Sequence, residues 1–303
     1  GNIIMRVSTQ QFFGRASLEI INRFSELNET QKQISSGKKI LTPADDPSGS
    51  ARVLGLDQQI KQTEQFQKNI SFAKSRMNIE ESALGSANDI LSRAHELIIR
   101  GASGTNDADS RSTIAKEIRE SINELVNLAN TKDLNNEYIF AGNVVKTAPF
   151  SIANDVVSYG GDQSSRLLQV SDNKTAIVSD PGSEIFMGFL DVNGAPNDVF
   201  KLLDDFATSM ESNTVNDDDV DDVNLAIDHL LRKRAEVGAR ESSLEVTTSI
   251  NEDQIINFTG IKAEIEEVDI VSAIAQFQQQ NVALQAAQSS FSKLQSISLF
   301  QFI

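Results

Sequence analysis

The chain has 303 residues, no cysteine, no tryptophan, two tyrosines and a net charge of −16. Absence of cysteine excludes disulfides, thiolate metal centres and cysteine nucleophiles. The N-terminal 41 residues carry a net +3 and residues 270–303 a net +1, so residues 42–269 hold −20. Nucleic-acid binding needs a basic patch, which that distribution does not provide. No run approaches the ~20 apolar residues of a membrane span, so membrane insertion is not expected.

The stretch beginning Met5-Arg6-Val7-Ser8 lacks the apolar segment of a secretory signal. The preceding Gly1 to Ile4 read as an expression remnant. From Ser8 to Ser36 the chain has no proline, and Phe13, Ile20, Leu27 and Ile34 recur every seven residues with Phe24 between them. That spacing predicts an amphipathic helix with a narrow seam. Gly37 then reads as a helix C-cap, and Pro43 and Pro47 enforce a non-helical passage with Asp45 and Asp46 between them. This segment is expected to be an inter-domain joint.

A second helix is predicted over Ser50 to Gly101, with Leu54, Ile60, Phe66, Ile70, Met77, Leu84, Ile90, Leu91, Leu97 and Ile98 as its buried positions. Gly101 to Asp107 turns the chain, and a third helix spans Ser110 to Thr131 with Ile114, Ile118, Ile122, Leu125 and Leu128 on one stripe. Between Tyr138 and Asn197 short alternating runs separated by Gly160-Gly161, Asp172-Asn173 and Pro181-Gly182 predict strands and turns. A helix from Asp198 to Met210, an acidic loop and a long helical tract from Asp218 to the C-terminus follow, with a bend expected at Glu266 to Asp269.

The last 34 residues carry a single charged side chain, Lys293, and a seam of Ile270, Ile274, Phe277, Leu284 and Phe291. A helix with so few charges and so narrow an apolar face needs a partner. The N-terminal seam supplies one, and the two ends are expected to pair as a helical hairpin. Packing inside one globular core and packing against further copies both satisfy the pattern.

The expected fold class is mainly α: a long antiparallel helical rod, a coiled-coil-like bundle made from both chain ends, with a small inserted β-rich domain. Its parts are terminal assembly helices at 1–44 and 268–303, a helical rod domain at 45–140 and 200–267, and a β-rich insert at 141–199. Catalytic signals are thin. The two histidines, His95 and His229, each sit in a helical stretch and read as satisfied surface residues. The run Asn216 to Asp222 lacks the glycine and terminal glutamate of an EF-hand loop and reads as solvated helix-capping acid. Ser35-Ser36-Gly37-Lys38 and Ser290-Phe291-Ser292-Lys293 match the serine-x-x-lysine spacing without its companion motifs. No cofactor, metal or catalytic residue is therefore expected.

The segments Met5-Arg6-Val7-Ser8-Thr9-Gln10-Gln11-Phe12-Phe13, Gln33 to Gly49, Phe140-Ala141-Gly142, Ala148-Pro149-Phe150, Leu284 to Phe291 and Ser298-Leu299-Phe300 together resemble the flagellin superfamily, and within it the hook-to-filament junction members. The resemblance implies a structural adaptor without catalysis, joining the hook, through the hook-associated protein 1 layer, to flagellin subunits of the filament. It further implies self-association in a ring layer, a flagellar export chaperone, export through the flagellar type III apparatus and an extracellular location on the bacterial flagellum. Under it, Phe13, Ile20, Phe24, Leu27, Ile34, Ile270, Ile274, Phe277, Leu284 and Phe291 become assembly-interface positions, with Gly37, Pro43, Asp45, Asp46 and Pro47 at the joint. A filament flagellin, or a related exported helical filament protein, is the neighbouring alternative. An unrelated coiled-coil scaffold and a helical hydrolase are the readings from other classes.

Overall fold

A computed structural model describes residues 2–103, 106–214 and 218–300. Seven helices and six short strands are assigned among the described residues: α1 (Asn2–Ser36), α2 (Pro47–Ala102), α3 (Ala108–Ala129), β1 (Phe150–Ala153), β2 (Val156–Tyr159), β3 (Arg166–Ser171), β4 (Lys174–Ser179), α4 (Gly182–Phe186), β5 (Phe189–Leu190), β6 (Pro196–Asn197), α5 (Val199–Glu211), α6 (Asp218–Glu266) and α7 (Ile270–Phe300). The chain is thus mainly α with a small β-rich insert. The expected bend at 266–269 is a break between two helices. The turn predicted after Gly101 begins later, since Gly101 and Ala102 still belong to α2, while Gly104 and Thr105 lie outside the described residues.

Two compact units divide the chain, residues 1–62 with 254–303 and residues 63–253. The second unit owes its core to a regular series on α2. Phe66, Ile70, Ala73, Met77, Leu84, Ala87, Leu91, Ala94 and Ile98 are all buried and alternate in steps of four and three, with Glu80 occupying the position between Met77 and Leu84. Such spacing keeps one side of a long helix on a partner. Ile114, Ala115, Ile118, Ile122 and Leu125 of α3 and Val199, Leu203, Phe206 and Met210 of α5 join the same core, as do Val223, Leu230 and Val237 of α6.

Helix ends in this unit follow capping chemistry. Asp107 accepts from Ser110 N at 2.9 Å to open α3, and Asp198 accepts from Lys201 N at 2.6 Å to open α5. Each satisfies an amide that the first turn leaves without an intrahelical acceptor.

The insert is three antiparallel hairpins, β1 with β2, β3 with β4 and β5 with β6. Phe150 pairs with Tyr159 in the first, and Leu168 with Ala176 in the second, which carries two register irregularities. Asn130, the C-cap of α3, extends the first hairpin by exchanging two bonds with Phe150, at 2.9 and 3.0 Å. Phe140, Phe150, Phe186 and Phe200 pack as an aromatic group with neighbouring centroids 5.4 to 5.8 Å apart, so the insert shares one core with the helices. Gly142 lies at φ 64°, and a Cβ there would stand 3.0 Å from the carbonyl oxygen of Ser164. Only glycine fits that left-handed, closely approached position.

Among the expected buried positions, Phe66, Ile70, Met77, Leu84, Leu91, Leu97 and Ile98 are buried and Ile60 and Ile90 half-buried. Leu54 is not: it is 62% exposed. It belongs to the first unit, where the apolar series that starts at Phe66 has not yet begun.

Candidate assembly surface

The first unit pairs α1 with α7, the two ends of the chain. Phe13 meets Phe291 edge to face, with ring centroids 5.8 Å apart. Leu284 is buried, while Phe13, Ile20, Leu27, Ile34, Phe277 and Phe291 are half-buried. Three other seam residues, Phe24, Ile270 and Ile274, face outward. The heptad series therefore splits: most of it covers the opposing helix of the same chain, and a minority remains open.

The open side carries further apolar residues beside the seam residues Phe24 and Ile274. Leu18, Ile21 and Phe24 follow one another at intervals of three on α1, and Val271, Ile274 and Val282 lie on α7. Leu18 is 60%, Val271 80% and Val282 66% exposed. Spaced by eleven residues, Val271 and Val282 return to nearly one helical azimuth. The signal that finds them is the second apolar periodicity in the same segments, offset from the first.

The segment between α1 and α2 is held by hydrogen bonds within itself and to the segment ahead of α7. Gly37 takes φ 72° directly after the last residue of α1 and donates to Gln33 O at 2.9 Å, closing the helix in a left-handed cap. The chain then forms a two-sided bridge with the segment ahead of α7: Lys39 N donates to Glu266 O at 2.8 Å and Val268 N to Gly37 O at 3.0 Å. Gln33 Nε2 donates to Lys39 O at 3.1 Å, Lys39 Nζ to Glu264 O at 3.0 Å, and Lys38 pairs with Glu266. Sequence reasoning missed the pairing of Lys38 and Lys39 with Glu266 and Glu264, because the partners are more than 220 residues apart.

Asp45 folds the next turn. Its carboxylate accepts from Leu41 N at 3.0 Å, Thr42 N at 2.7 Å and Thr42 Oγ1 at 3.0 Å. The Thr42 amide, then its hydroxyl, hold the Asp45 carboxyl below the usual carboxylate range. Asp46 caps α2 by accepting from Gly49 N at 2.9 Å, with Pro47 at the first helical position, where its missing N–H costs nothing. Lys262 of α6 reaches Asp57 of α2 at 2.6 Å, and that hydrogen bond raises the ammonium's pKa. Gly37, Pro43, Asp45, Asp46 and Pro47 thus fall within one hydrogen-bonded region of the first unit. An open, mainly apolar groove of about 490 Å³ lies beside it, lined by residues including Ile40, Leu41, Pro43, Pro47 and Leu54.

The serine-lysine spacing and the buried histidine take part in the packing of the fold. Ser35 Oγ donates to Lys32 O at 3.0 Å while the Lys38 ammonium is committed to Glu266, so neither side chain of this spacing is engaged with the other. His229 corrects its expected surface placement: it is buried, and its Nε2 lies 2.9 Å from Glu184 O. Burial lowers its pKa. His95 is half-buried, and its Nε2 has no hydrogen-bond partner. No group of three or more potential metal ligands occurs among the described residues. Of the acidic run, Asn216 and Asp217 lie outside the described residues, while Asp218 to Asp222 form the start of α6 and Asp222 accepts from Val192 N at 2.7 Å. No described helix is long and apolar enough to cross a membrane.

The first unit is thus a helical pair made from both chain ends, with apolar residues left open on both end helices. The bacterial flagellin N-terminal helical region matches residues 7–145 and the bacterial flagellin C-terminal helical region matches residues 220–303, between them most of the chain. The chain belongs to the flagellin superfamily. It is 29% identical to the flagellar hook-associated protein 3 of Escherichia coli K12, over 98% of this chain and 99% of that one. To the flagellin of Bacillus subtilis it is 27% identical, over 90% of this chain and 92% of the other. The crystal structure of flagellar hook-associated protein 3 from Legionella pneumophila superposes with a TM-score of 0.66 at 19% identity, covering 69% of this chain and 98% of that one.

Proposed function

We propose that this protein is a structural adaptor of the bacterial flagellum that joins the hook to the filament and carries out no chemistry of its own. The observation that carries the reading is the pairing of α1 with α7, which leaves Leu18, Ile21, Phe24, Val271, Ile274 and Val282 open. Apolar stripes of this kind mark surfaces buried against other proteins. The near end-to-end match to hook-associated protein 3 of Escherichia coli supports the junction role over the filament role, since the Bacillus subtilis flagellin matches over a smaller share of both chains.

In this reading the subunit stands in a ring layer, with the hook-associated protein 1 layer on one side and flagellin on the other. It is exported through the flagellar type III apparatus with the help of an export chaperone and works outside the cell. The inward seam of Phe13, Leu27, Leu284 and Phe291 holds the two ends together, and the outer residues meet neighbouring subunits. Purified protein added to isolated hooks capped with hook-associated protein 1 should add one limited layer and then accept flagellin. Self-polymerisation into long filaments from the same seeds would instead make it a flagellin. Failure to bind either seed would remove it from the flagellar axis.

A further inference from the structure

Glu80 lies in the second unit and is completely buried, at 0% exposure, in the core series of α2. It lies beside Asp180, Arg240 and Arg76, members of a group of six other ionisable side chains drawn from several elements. Arg76 of α2 pairs with Asp133 at 2.6 Å and with Glu137 at 3.4 Å, both in the segment after α3. Arg166 of β3 pairs with the same Glu137 at 2.7 Å. Arg240 of α6 grips both carboxylate oxygens of Asp180, the residue that joins β4 to α4. Three guanidinium groups thus balance three carboxylates. Glu236 of α6, next to Arg240, stands at the surface with more than half of its side chain exposed.

Glu80 is the seventh member and leaves the group one carboxylate in excess: the cations acting on it, Arg240 and Arg76, already pair with Asp180 and with Asp133 and Glu137. Its Oε1 receives one long bond, from Asp180 N at 3.4 Å, and its Oε2 has no hydrogen-bond partner. An ionised carboxylate in that position would sit against the Asp180 carboxylate, out of water and short of donors. Such a group takes up a proton instead of holding an unpaired charge. Burial first, then the Asp180 charge, push the Glu80 carboxyl up to about 8.

We propose that Glu80 is a proton-operated latch, neutral while the β4–α4 corner is closed on α2 and α6 and ionised only when that corner opens. The neutral acid completes a balanced cluster that ties Asp180 to both helices. Loss of the proton sets two carboxylates side by side against an Arg240 that already grips Asp180, and the corner yields at its one long polar bond to Glu80. The free energy runs accordingly. The unfolded carboxyl ionises at its ordinary value of 4.5, while the closed protein keeps the proton to about 8. Stability from the closed latch is full below the first value and is lost as pH rises to the second.

The test uses the intact chain. Carboxyl carbon NMR of Glu80, titrated across about pH 4 to 9, should give a midpoint near 8. A midpoint in the ordinary glutamate range would overturn the proposal without any variant. Amide hydrogen exchange, corrected for intrinsic rates, should show protection over residues 174–186 falling about tenfold from pH 6 to pH 7, inside the window between 4.5 and about 8, and levelling above it. In Glu80→Gln, which keeps shape and cannot ionise, protection should stay level over the same range. The same decline in Glu80→Gln would show that another group opens the corner.

Discussion

Phe13 and Phe291, 278 positions apart in the chain, stand at 87° to each other with their ring centroids 5.8 Å apart. Edge-to-face aromatic contact adds roughly 0.5–1.5 kcal/mol to the area the rings bury. This pair closes the far part of the α1–α7 hairpin, where charged support is sparse.

Phe291→Ala should therefore loosen the hairpin and little else. Both rings are half-buried, so the loss should be about 1–3 kcal/mol, less than for a fully buried phenylalanine. Hydrogen exchange should show faster amides along α1 and α7 with residues 63–253 unchanged. Equal loss of protection in both units would mean that they unfold together.

Gly37→Ala places a Cβ at φ 72°. The left-handed conformation costs a residue with a side chain about 1–2 kcal/mol. The strain sits on the cap that also positions Gly37 O for Val268 N, so amide protection at Val268 and Lys39 should fall together. Protection retained at both would separate the cap from the bridge.

Removing residues 1–41 and 270–303 should leave a soluble acidic monomer, because the second unit has its own core. Its thermal midpoint should stay within a few degrees of the full chain's main transition, while addition to hooks is lost. A large fall in the midpoint would show that the terminal helices support the rest of the fold.

Burial depresses the His229 pKa below 6.5, so the unfolded chain binds a proton there before the folded one does. Stability from this site is present above 6.5 and declines as pH falls through the folded value. Glu80 acts in the opposite sense across neutral pH, and only a difference between variants isolates the histidine. His229→Gln should flatten the acid side of the stability profile below about pH 6.5 relative to the parent chain. An identical acid limb in both would assign the loss to other groups.

Arg76→Ala should be the most damaging of these changes, at about 3–5 kcal/mol, because it strands Asp133 in the interior. Chemical denaturation of Arg76→Ala alone and with Asp133→Asn would check this, with the double variant recovering part of the loss.

The helices were legible because apolar periodicity writes them directly, and α3 with Ile114, Ile118, Ile122 and Leu125 is the plainest case. The break between α1 and α2 was legible through Gly37, Pro43 and Pro47, whose backbone constraints act locally. Leu54 misled because a leucine on a helix matches the pattern whether or not something covers it. The split of the terminal seam was hidden for a related reason: Ile20 and Phe24 belong to the same apolar pattern, yet one is half-buried and the other exposed. The ionic group around Glu80 was invisible to a search for apolar residues. Its signal was available as a single charged residue interrupting the series from Phe66 to Ile98.

The bridge between Lys38 and Glu267 also has a mechanical meaning. A single extended strand swivels freely about its own backbone bonds, and whatever it carries can spin. Two antiparallel strands tied by hydrogen bonds on both sides, as Lys39 to Glu266 and Val268 to Gly37 are, can flex sideways but cannot turn independently. The bridge therefore limits independent rotation of α1 and α7 at this end of the pair.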